Sequence, residues 1–401
     1  MPSAKARDLF GDTEGIGSAG QADYSAADWS QAPGVLPAQE IKRLIERRSI
    51  RSEVQIESTQ IQPASLDLRL GRLAYRIHAS FFPRRDTPVS ARIGELKAHQ
   101  FFLTDGAVLE RNGVYLIELE EALALSDVYS GAANPKSSTG RLDIFTRLVT
   151  DGADVFDVVR PAYKGKLWAE VSPRTFSVRV KRGIRLNQIR FRRRAPNQMD
   201  YQTFFLSDKE LGEIHQKVPL VDDDAIIRNG LNIRVNLDRT NSSTIIGFRA
   251  KKHTAVVDLA LINHYEVEKF WEPLYYTPSK QLLLEPGAFY ILASKEKMHI
   301  PGNLAAEMVA FDPMLGEFRV HYAGFFDPGF GRSPGGPGSR AVLEVRTHDM
   351  PFLLEDGQTI GRLVFESLTA NPAISYGEGI SSNYQGQGLK LSKHFRPLSG
   401  N

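Results

Sequence analysis

The sequence predicts an all-β protein made of two tandem copies of one sandwich or barrel fold, with a short helix near the N-terminus. β-rich segments such as "VYLIEL" and "FSVRV" alternate with turn pairs, of which Asp105-Gly106 and Asp356-Gly357 are examples. Many short strands separated by such turns are typical of a sandwich or a barrel. Similar segments also recur at one constant spacing along the chain, which indicates that the fold is duplicated.

The N-terminal region predicts a tail followed by one helix. We expect residues 1–35 to form a disordered tail, because they are rich in Gly, Ala, Ser and Asp and lack the long apolar run of a secretory signal. Residues 37–50 predict a short helix, since Ile41, Leu44 and Ile45 fall on one helical face. No apolar run in the sequence reaches the roughly 18 residues of a membrane span. The sequence therefore predicts a cytoplasmic protein that does not enter a membrane.

The duplication rests on segments that share one offset. "VLERNGVYLI" begins at Val108 and "LLLEPGAFYI" begins at Leu282, and 282 − 108 = 174. "LWAEV" and "VLEV" place Glu170 against Glu344, and 344 − 170 is again 174. A common offset across separate segments is better explained by two copies of one β fold than by chance similarity.

The copies also predict a domain boundary and a further pair of equivalent residues. "RRRAPNQMDYQ" interrupts the strand pattern near residue 200, which divides the chain into domains at 36–200 and 201–401. Early in each copy "SLDLRL" resembles "VVDLAL", and this similarity predicts that Asp67 and Asp258 occupy equivalent positions.

The stretch "PKSSTGR", residues 135–141, predicts a phosphate-binding loop in the first copy. Lys136 and Arg141 carry positive charge, and Ser137 and Ser138 offer hydroxyl donors. The aligned stretch of the second copy, "DPMLGE" at 312–317, has acidic residues instead and would repel phosphate. An ordinary polar surface loop is the alternative interpretation.

The second copy carries a different candidate feature. "HYAGFFDPGFG" at 321–331 is a glycine-rich turn with Asp327 where the first copy has Arg160, and "AVLEV" with Glu344 follows. Open backbone at such a turn is suited to the edge of a flat base. Asp327 could instead serve turn chemistry alone, and Glu344 could face solvent on its strand. The division of features between the copies suggests a composite site between domains or subunits.

Two further properties limit the function classes. The chain has no cysteine, which excludes disulfides, thiolate nucleophiles and Cys-ligated zinc. The stretch 174–194 holds nine basic residues in 21, although the net charge of the chain is only +3. Such a run is consistent with nucleic-acid binding, with a solvated face or with one wall of an anion site. Without a recognisable nucleic-acid motif, binding of nucleic acid is the less favoured of these interpretations.

Several motifs in this order resemble one known family. "QPASLDLRLG", "PKSSTGR", "AGFFDPGFG", "AVLEV" and "DGQTIGRLVFE" together resemble the dCTP deaminases of the dUTPase-like superfamily, over roughly residues 36–200 and 250–390. The resemblance implies dUTPase-like β domains that pack with threefold symmetry in a homo-oligomer, with active sites at interfaces. It also implies a dCTP substrate whose triphosphate binds Mg²⁺, and deamination of cytosine without zinc.

The resemblance also implies roles for individual residues. It makes Glu344 the catalytic glutamate, with Glu170 as its counterpart in the first copy. Lys136 stands where the family usually has arginine, and Asn383 replaces a lysine, so one phosphate contact differs. The implied catalytic residues are Glu344, Ser137 and Arg141; the implied substrate-binding residues are Lys136, Ser138, Ala323, Gly324, Asp327, Tyr384 and Gln387.

These observations lead to a hypothesis of zinc-independent hydrolysis of dCTP to dUTP and ammonia. A glutamate with apolar neighbours is suited to the proton transfers of this reaction, because burial raises the pKa of a carboxyl group toward neutrality. The first alternative is a dUTP diphosphatase, or a bifunctional enzyme that performs both steps. The second is a non-catalytic protein that binds nucleotide or nucleic acid, whose binding would weaken steeply with salt.

Overall fold

The computed structural model describes residues 32–84, 87–195, 205–240, 243–310, 318–320, 324–331, 338–347, 349–374, 376 and 388–397. We call residues 32–195 the first half and residues 205–397 the second half. Within the described ranges both halves consist mainly of β-strands connected by turns, and helices are short. The prediction of an all-β protein is confirmed. No helix in these ranges has the length and apolar character needed to cross a membrane.

The first half contains one large sheet with short helices beside it. Its strands are β1 Gly34–Val35, β2 Ile50–Ser52, β3 Leu66–Ile77, β4 Lys97–Phe102, β5 Ala107–Leu109, β6 Val114–Ala124, β7 Tyr129–Pro135, β8 Ile144–Thr150, β9 Val158–Val159, β10 Lys164–Pro173, β11 Val178–Val180 and β12 Arg185–Arg193. Its helices are α1 Ala38–Glu46, α2 Val89–Leu96 and α3 Ser137–Gly140, with a 3₁₀ turn at Ser58–Gln60. The large sheet runs in the order β8-β10-β6-β3-β12-β7-β9, and β1, β2 and β4 pair at its sides. β5 and β11 lie outside this sheet and pair with each other.

The predicted N-terminal helix is confirmed as α1, and the strand before it corrects the expected tail. Ile41 and Leu44 are buried on one face of α1 while Lys42 is exposed, as the periodicity of the sequence requires. Gly34 and Val35 were expected in the disordered tail. They instead form β1, which pairs with the end of β12, so the tail boundary at residue 35 is wrong.

The second half repeats this arrangement in smaller sheets. Its strands are β13 Leu231–Arg234, β14 Ile245–Ala250, β15 Val257–Asp258, β16 Trp271–Tyr275, β17 Gln281–Leu284, β18 Phe289–Met298, β19 Leu304–Ala310, β20 Phe318–Val320, β21 Phe325–Phe326, β22 Ser339–Thr347, β23 Phe352–Glu355 and β24 Thr359–Ser367. Its helices are α4 Asp208–Lys217 and α5 Val267–Phe270. One sheet has the order β13-β24-β19-β21 and another the order β16-β14-β18-β22-β20, and β17 and β23 form a two-stranded ribbon.

Strand pairing confirms the duplication at the predicted offset. In the first half Ile144 of β8 lies opposite Pro173 of β10. In the second half Phe318 of β20 lies opposite Thr347 of β22, and both differences, 318 − 144 and 347 − 173, equal 174. Glu170 and Glu344 accordingly occupy equivalent places in β10 and β22.

The predicted equivalence of Asp67 and Asp258 is wrong. Asp67 of β3 pairs with Gln188 of β12. The residue 174 positions after Gln188 is Arg362 of β24, and it pairs with Asn232, which is therefore the counterpart of Asp67. Asp258 lies in β15, which instead pairs in parallel with β11 of the first half. The resemblance between the two hexapeptides was local and did not reflect strand order.

The two halves pack tightly against each other. One hydrophobic core contains residues of both, and the ring of Phe176 meets the ring of Trp271 edge-on with centroids 5.4 Å apart. The C-terminal segment, residues 388–397, also joins this core through Phe395, whose ring lies 5.9 Å from that of Trp271. The predicted domain boundary near residue 200 falls outside the described residues. Each half therefore depends on the other for part of its apolar burial.

Candidate functional site

A cavity of about 710 Å³ lies between the two halves of the chain and receives residues from both. Of the residues predicted for the site, it is lined by Lys136, Ser137, Ser138, Arg141, Gly324, Asp327 and Glu344. The predicted residues Ala323, Tyr384 and Gln387 lie outside the described residues. Because the first four come from the first half and the last three from the second, one chain brings both predicted sets of residues to a single cavity.

The phosphate loop, residues 135–141, is a short helical turn fixed to the neighbouring strand. β7 ends at Pro135, and α3 follows at once. The backbone N–H of Lys136 donates to the carbonyl of Leu186 at 2.8 Å, and the hydroxyl of Thr139 donates to the same carbonyl at 3.0 Å. These bonds hold the turn in place at the wall of the cavity.

Two basic side chains of the loop are held by different partners. Lys136 forms an ion pair with the buried carboxylate of Asp67. Arg141 is buried, and its guanidinium donates to the carbonyl of Lys390 at 2.9 Å. Both positive charges are therefore positioned before any ligand binds, which is the arrangement that favours tight binding of a multiply charged anion.

Glu344 is the most perturbed carboxyl group of the cavity. It lies in β22 between Leu343 and Val345, opposite Ile291, and is 6% exposed. Burial raises the pKa of Glu344 to about 8, against the opposing effect of the nearby Arg141 guanidinium. Arg141 and Glu344 line the same cavity, and the charge of Arg141 acts on Glu344, so the phosphate loop and the predicted catalytic glutamate lie close together.

Asp327 stands at the end of β21, in what we call the base hairpin, residues 324–331. The hairpin is held by pairing of Phe326 with Ala306 and by a turn in which the N–H of Phe330 donates to the carbonyl of Asp327 at 3.0 Å. Asp327 is 8% exposed, and burial raises its pKa to about 6. Within the described residues its Oδ1 accepts no hydrogen bond. Asp327 lines the cavity, while its Oδ1 is buried 3.8 Å from the guanidinium of Arg190.

Arg190, which the sequence analysis did not single out, supports this hairpin from the first half. Its side chain is fully buried in β12 and lies 3.8 Å from the carboxylate of Asp327 and 3.6 Å from that of Glu366. It donates to the carbonyl of Phe326 at 3.4 Å, and its guanidinium lies 4.0 Å from the ring centroid of Phe325. Arg190 therefore connects the first half directly to the hairpin that carries Asp327.

A second arginine of β12 makes an ion pair between equivalent positions of the two halves. Arg192 binds Glu366 through two hydrogen bonds of 2.5 and 2.8 Å, and 366 − 192 = 174 is the offset of the repeat. Arg190, Arg192 and Arg185 all belong to the basic stretch 174–194, and of these three Arg185 lines the cavity. Of the interpretations given to that stretch, one wall of an anion site fits Arg185. Arg190 and Arg192 instead form contacts between the halves, which the sequence analysis did not predict.

Other cavity residues were also missed by sequence reasoning. They are Asp67, Arg185, Gln188, Tyr376, Lys393 and His394. Burial lowers the pKa of His394 to about 4, and its Nδ1 lies 3.0 Å from the hydroxyl of Ser392. That hydroxyl donates to the carbonyl of Ser138 at 2.8 Å. The C-terminal segment thus rests on the phosphate loop, a contact that no local sequence pattern indicates.

Glu170 does not belong to this cavity. It is buried in β10, where burial raises its pKa and the Arg147 guanidinium opposes the rise. The residues that line the cavity include Glu344 and not Glu170. Only the second copy therefore contributes its strand glutamate to this site.

The raised pKa of Glu344 predicts how stability depends on pH. Folding favours the neutral carboxyl, so its contribution to the free energy of unfolding is complete below about pH 4.5 and is lost as pH rises toward about 8. Glu344→Gln keeps a neutral side chain at every pH. We expect the variant to gain stability relative to the wild type, by a few kcal/mol, between pH 5 and pH 8.5, as measured by urea unfolding.

The matched control is Glu213→Gln on the exposed face of α4. It should show no pH-dependent difference from the wild type. A constant difference between Glu344→Gln and the wild type from pH 5 to pH 8.5 would contradict the raised pKa.

Comparisons with known proteins find matches to both halves of the chain. Residues 32–195 match the family model described as the 2'-deoxycytidine 5'-triphosphate deaminase N-terminal domain, and residues 207–395 match the model for its C-terminal domain. A solved structure titled as a 2'-deoxycytidine 5'-triphosphate deaminase from Agrobacterium tumefaciens is 47% identical, with a TM-score of 0.79. The match covers 84% of this chain and 99% of the chain in that structure.

Shorter matches are found among curated relatives. "dCTP deaminase, dUMP-forming" of Kocuria rhizophila is 32% identical over 114 residues, which is 27% of this chain and 56% of the relative. The protein of the same name from Halobacterium salinarum is 31% identical over 126 residues, 30% of this chain and 60% of the relative. The chain thus spans somewhat more than half the length of these relatives. Since the two family models together cover most of its residues, the chain belongs to the 2'-deoxycytidine 5'-triphosphate deaminase family.

Proposed function

We propose that the protein hydrolyses dCTP to dUTP and ammonia, with the cavity between the halves as its active site. The observation that carries this proposal is the position of Glu344, a buried carboxyl with a pKa of about 8, beside Arg141 of the phosphate loop. Such a group can accept and donate a proton near neutral pH, as general acid–base catalysis requires. Membership of the family and the likeness to the Agrobacterium tumefaciens structure support the same substrate.

In this proposal the nucleotide lies across the cavity from the first half to the second. The triphosphate binds Lys136, Ser138 and Arg141 of the phosphate loop, where fixed positive charge is present. The cytosine and the sugar lie against the base hairpin, with Gly324 and Asp327 as donors and acceptors. Ala323, Tyr384 and Gln387, which lie outside the described residues, are proposed to complete the base site and to close over the nucleotide.

The proposed chemistry moves protons through Glu344. Its carboxylate takes a proton from a water molecule as the water oxygen attacks C4 of cytosine, and the proton passes to the ring nitrogen N3. The hydroxyl proton of the tetrahedral intermediate then moves through Glu344 to the amino group, the C4–N bond breaks, and ammonia leaves with a C4 carbonyl behind. Ser137 is proposed to orient the water, and Arg141 favours the ionised form of Glu344.

The proposal includes Mg²⁺ that arrives on the substrate. Among the described residues no group of three or more His, Asp and Glu side chains is placed to hold a metal ion, and Asp67 is already paired with Lys136. These residues fit an ion held by the phosphates rather than by the protein. Bound there, Mg²⁺ would neutralise part of the triphosphate charge.

We also propose a cytoplasmic homo-oligomer in which the domains pack with threefold symmetry. Support for association comes from the ribbon of β17 and β23, where Leu283 and Leu353 lie opposite each other and are both exposed. Exposed apolar pairs of this kind are typical of protein interfaces. The mass of the protein in solution tests this part of the proposal.

A product assay with purified protein tests the function itself. With dCTP and Mg²⁺ we expect ammonia and dUTP in equal amounts and no diphosphate. Because the matched relatives are named dUMP-forming, dUTP should be assayed in parallel. If dCTP yields ammonia, dUMP and diphosphate, the protein is the bifunctional enzyme instead. If dUTP yields diphosphate and dCTP yields no product, the protein is the diphosphatase. Nucleotide binding without any product would leave the non-catalytic alternative.

A further inference from the structure

Two basic residues outside the phosphate loop line the same cavity. Arg185 begins β12, and Lys393 belongs to the C-terminal segment. The pKa of Lys393 is lowered, first by burial and then by the positive charges of Lys136 and Arg185, while Asp67 opposes the change. Lys393, Lys136, Arg185 and Asp67 therefore form one electrostatically coupled group, although their positions in the sequence are far apart.

The backbone that carries Lys393 is fixed on both sides. The N–H of Asn263 donates to the carbonyl of Lys393 at 2.9 Å, and the preceding residue, Ser392, donates its hydroxyl to the carbonyl of Ser138 at 2.8 Å. Two residues further on, Phe395 packs into the core shared by the halves. These contacts keep the Lys393 side chain at the cavity without using its ammonium group.

Within this group the positive charge exceeds the negative charge. Asp67 is the carboxylate that the three cations share: it pairs with Lys136 and lies 3.8 Å from Arg185. Arg185 has a second carboxylate partner, Glu57, at 2.6 Å. Among the described residues no carboxylate lies within 4.0 Å of the Lys393 ammonium.

The remaining carboxyl groups of the cavity correct this excess only in part. Burial raises the pKa of Asp327 to about 6 and that of Glu344 to about 8, so at neutral pH Asp327 is mostly ionised while Glu344 is mostly neutral. A partly buried ammonium beside two other cations is unfavourable unless an anion with several charges joins them.

We propose that Lys393 is a substrate-binding residue that joins Lys136 and Arg185 in holding the phosphate tail of the nucleotide. This inference rests on the proposed function, because the proposed function places the nucleotide in this cavity. The consequence is selectivity by phosphate number: a triphosphate reaches the Lys393 ammonium, whereas a nucleoside monophosphate fills only the part of the site at the phosphate loop. The alternative is that Lys393 serves only to anchor the C-terminal segment.

The test uses the full chain, Lys393→Gln and a control. Titration calorimetry with inorganic triphosphate should show the affinity of Lys393→Gln reduced by about tenfold or more, the effect of one charge-assisted hydrogen bond. Lys393→Arg keeps the charge and should restore most of the affinity. Lys217→Gln removes an exposed lysine of α4 that does not line the cavity and should bind as the wild type does.

Steady-state kinetics separates binding from anchoring. With dCTP, Lys393→Gln should raise KM with kcat changed by less than about twofold, and the preference for dCTP over dCMP should fall. A fall in kcat with KM unchanged, or a melting temperature reduced equally in Lys393→Gln and Lys393→Arg, would assign Lys393 to anchoring. Unaltered affinity of Lys393→Gln for inorganic triphosphate would overturn the proposal outright.

The two proposals can fail separately. If the wild type releases no ammonia but Lys393→Gln loses affinity for inorganic triphosphate, the anion site stands and the deaminase assignment fails. If the wild type deaminates dCTP and Lys393→Gln binds triphosphate normally, the deaminase stands and the role of Lys393 fails.

Discussion

Replacing Glu344 by glutamine is expected to reduce the rate of ammonia release from dCTP by about 10²–10⁴-fold, the usual loss when a general acid–base group is removed. Glutamine has the shape of glutamic acid but cannot take a proton from water at neutral pH. Since Glu344 lies in β22 and not in the phosphate loop, dCTP should still bind. Single-turnover assays with saturating protein measure the chemical step, and calorimetry measures binding.

The chain supplies a matched control for this experiment. Glu170 is the equivalent residue of the first half and is also buried, but it lies outside the cavity. Glu170→Gln should therefore keep activity within a few-fold of the wild type. Equal loss of activity in the two variants would show that the buried strand glutamates act through stability. Full activity of Glu344→Gln would show that Glu344 takes no part in the mechanism.

Replacing Arg190 by methionine is expected to lower the free energy of unfolding by about 3–5 kcal/mol, which is the cost of breaking a buried ion pair from one side. The change removes the buried cation next to Asp327 and Glu366 and the hydrogen bond to the carbonyl of Phe326. Glu366 retains its bond to Arg192, but among the described residues no other arginine lies within 4.0 Å of the Asp327 carboxylate. Urea unfolding followed by circular dichroism measures the difference.

A half-buried arginine in a surface ion pair provides the comparison. Arg160 pairs with Asp154 at the surface, where 63% of the aspartate side chain is accessible, and loss of such a pair costs about 0–1 kcal/mol. If Arg160→Met and Arg190→Met destabilise the protein equally, burial of Arg190 does not have the role assigned to it. The activity of the remaining folded Arg190→Met should also fall, because the base hairpin loses its support from the first half.

Much of the fold could be predicted because its signals are local or periodic. Turn pairs mark strand ends, and the offset of 174 placed Glu170 and Glu344 correctly. The error at Asp258 shows the limit of such signals, since a short stretch of similar residues does not reveal which strand is its neighbour. Only the pairing of Asp67 with Gln188 and of Asn232 with Arg362 gives the correct equivalence.

The site was predictable where its residues form a compact motif. The phosphate loop places four of its members within six positions, and the strand context of Glu344 indicates burial. Arg190 and Lys393 carry no such signal. Arg190 lies beside Asp327, and Lys393 is brought to the cavity because its neighbour Ser392 binds Ser138, and each of these contacts joins residues more than 100 positions apart. A basic residue in a strand or near a terminus looks the same in the sequence whether or not the fold brings a carboxylate to it.

The ion pair between Arg192 and Glu366 makes the contact between the halves heterotypic. Were two first halves to meet in this way, arginine would face arginine; two second halves would bring together two glutamates. Repulsion of like charges disfavours both pairings, whereas the unlike pairing is attractive. In an assembly of identical subunits every substitution appears on all sides of an interface at once. In a tandem chain a substitution in one half leaves the equivalent position of the other half unchanged. One half can therefore be adapted to phosphate binding, and the other to proton transfer, through independent mutations.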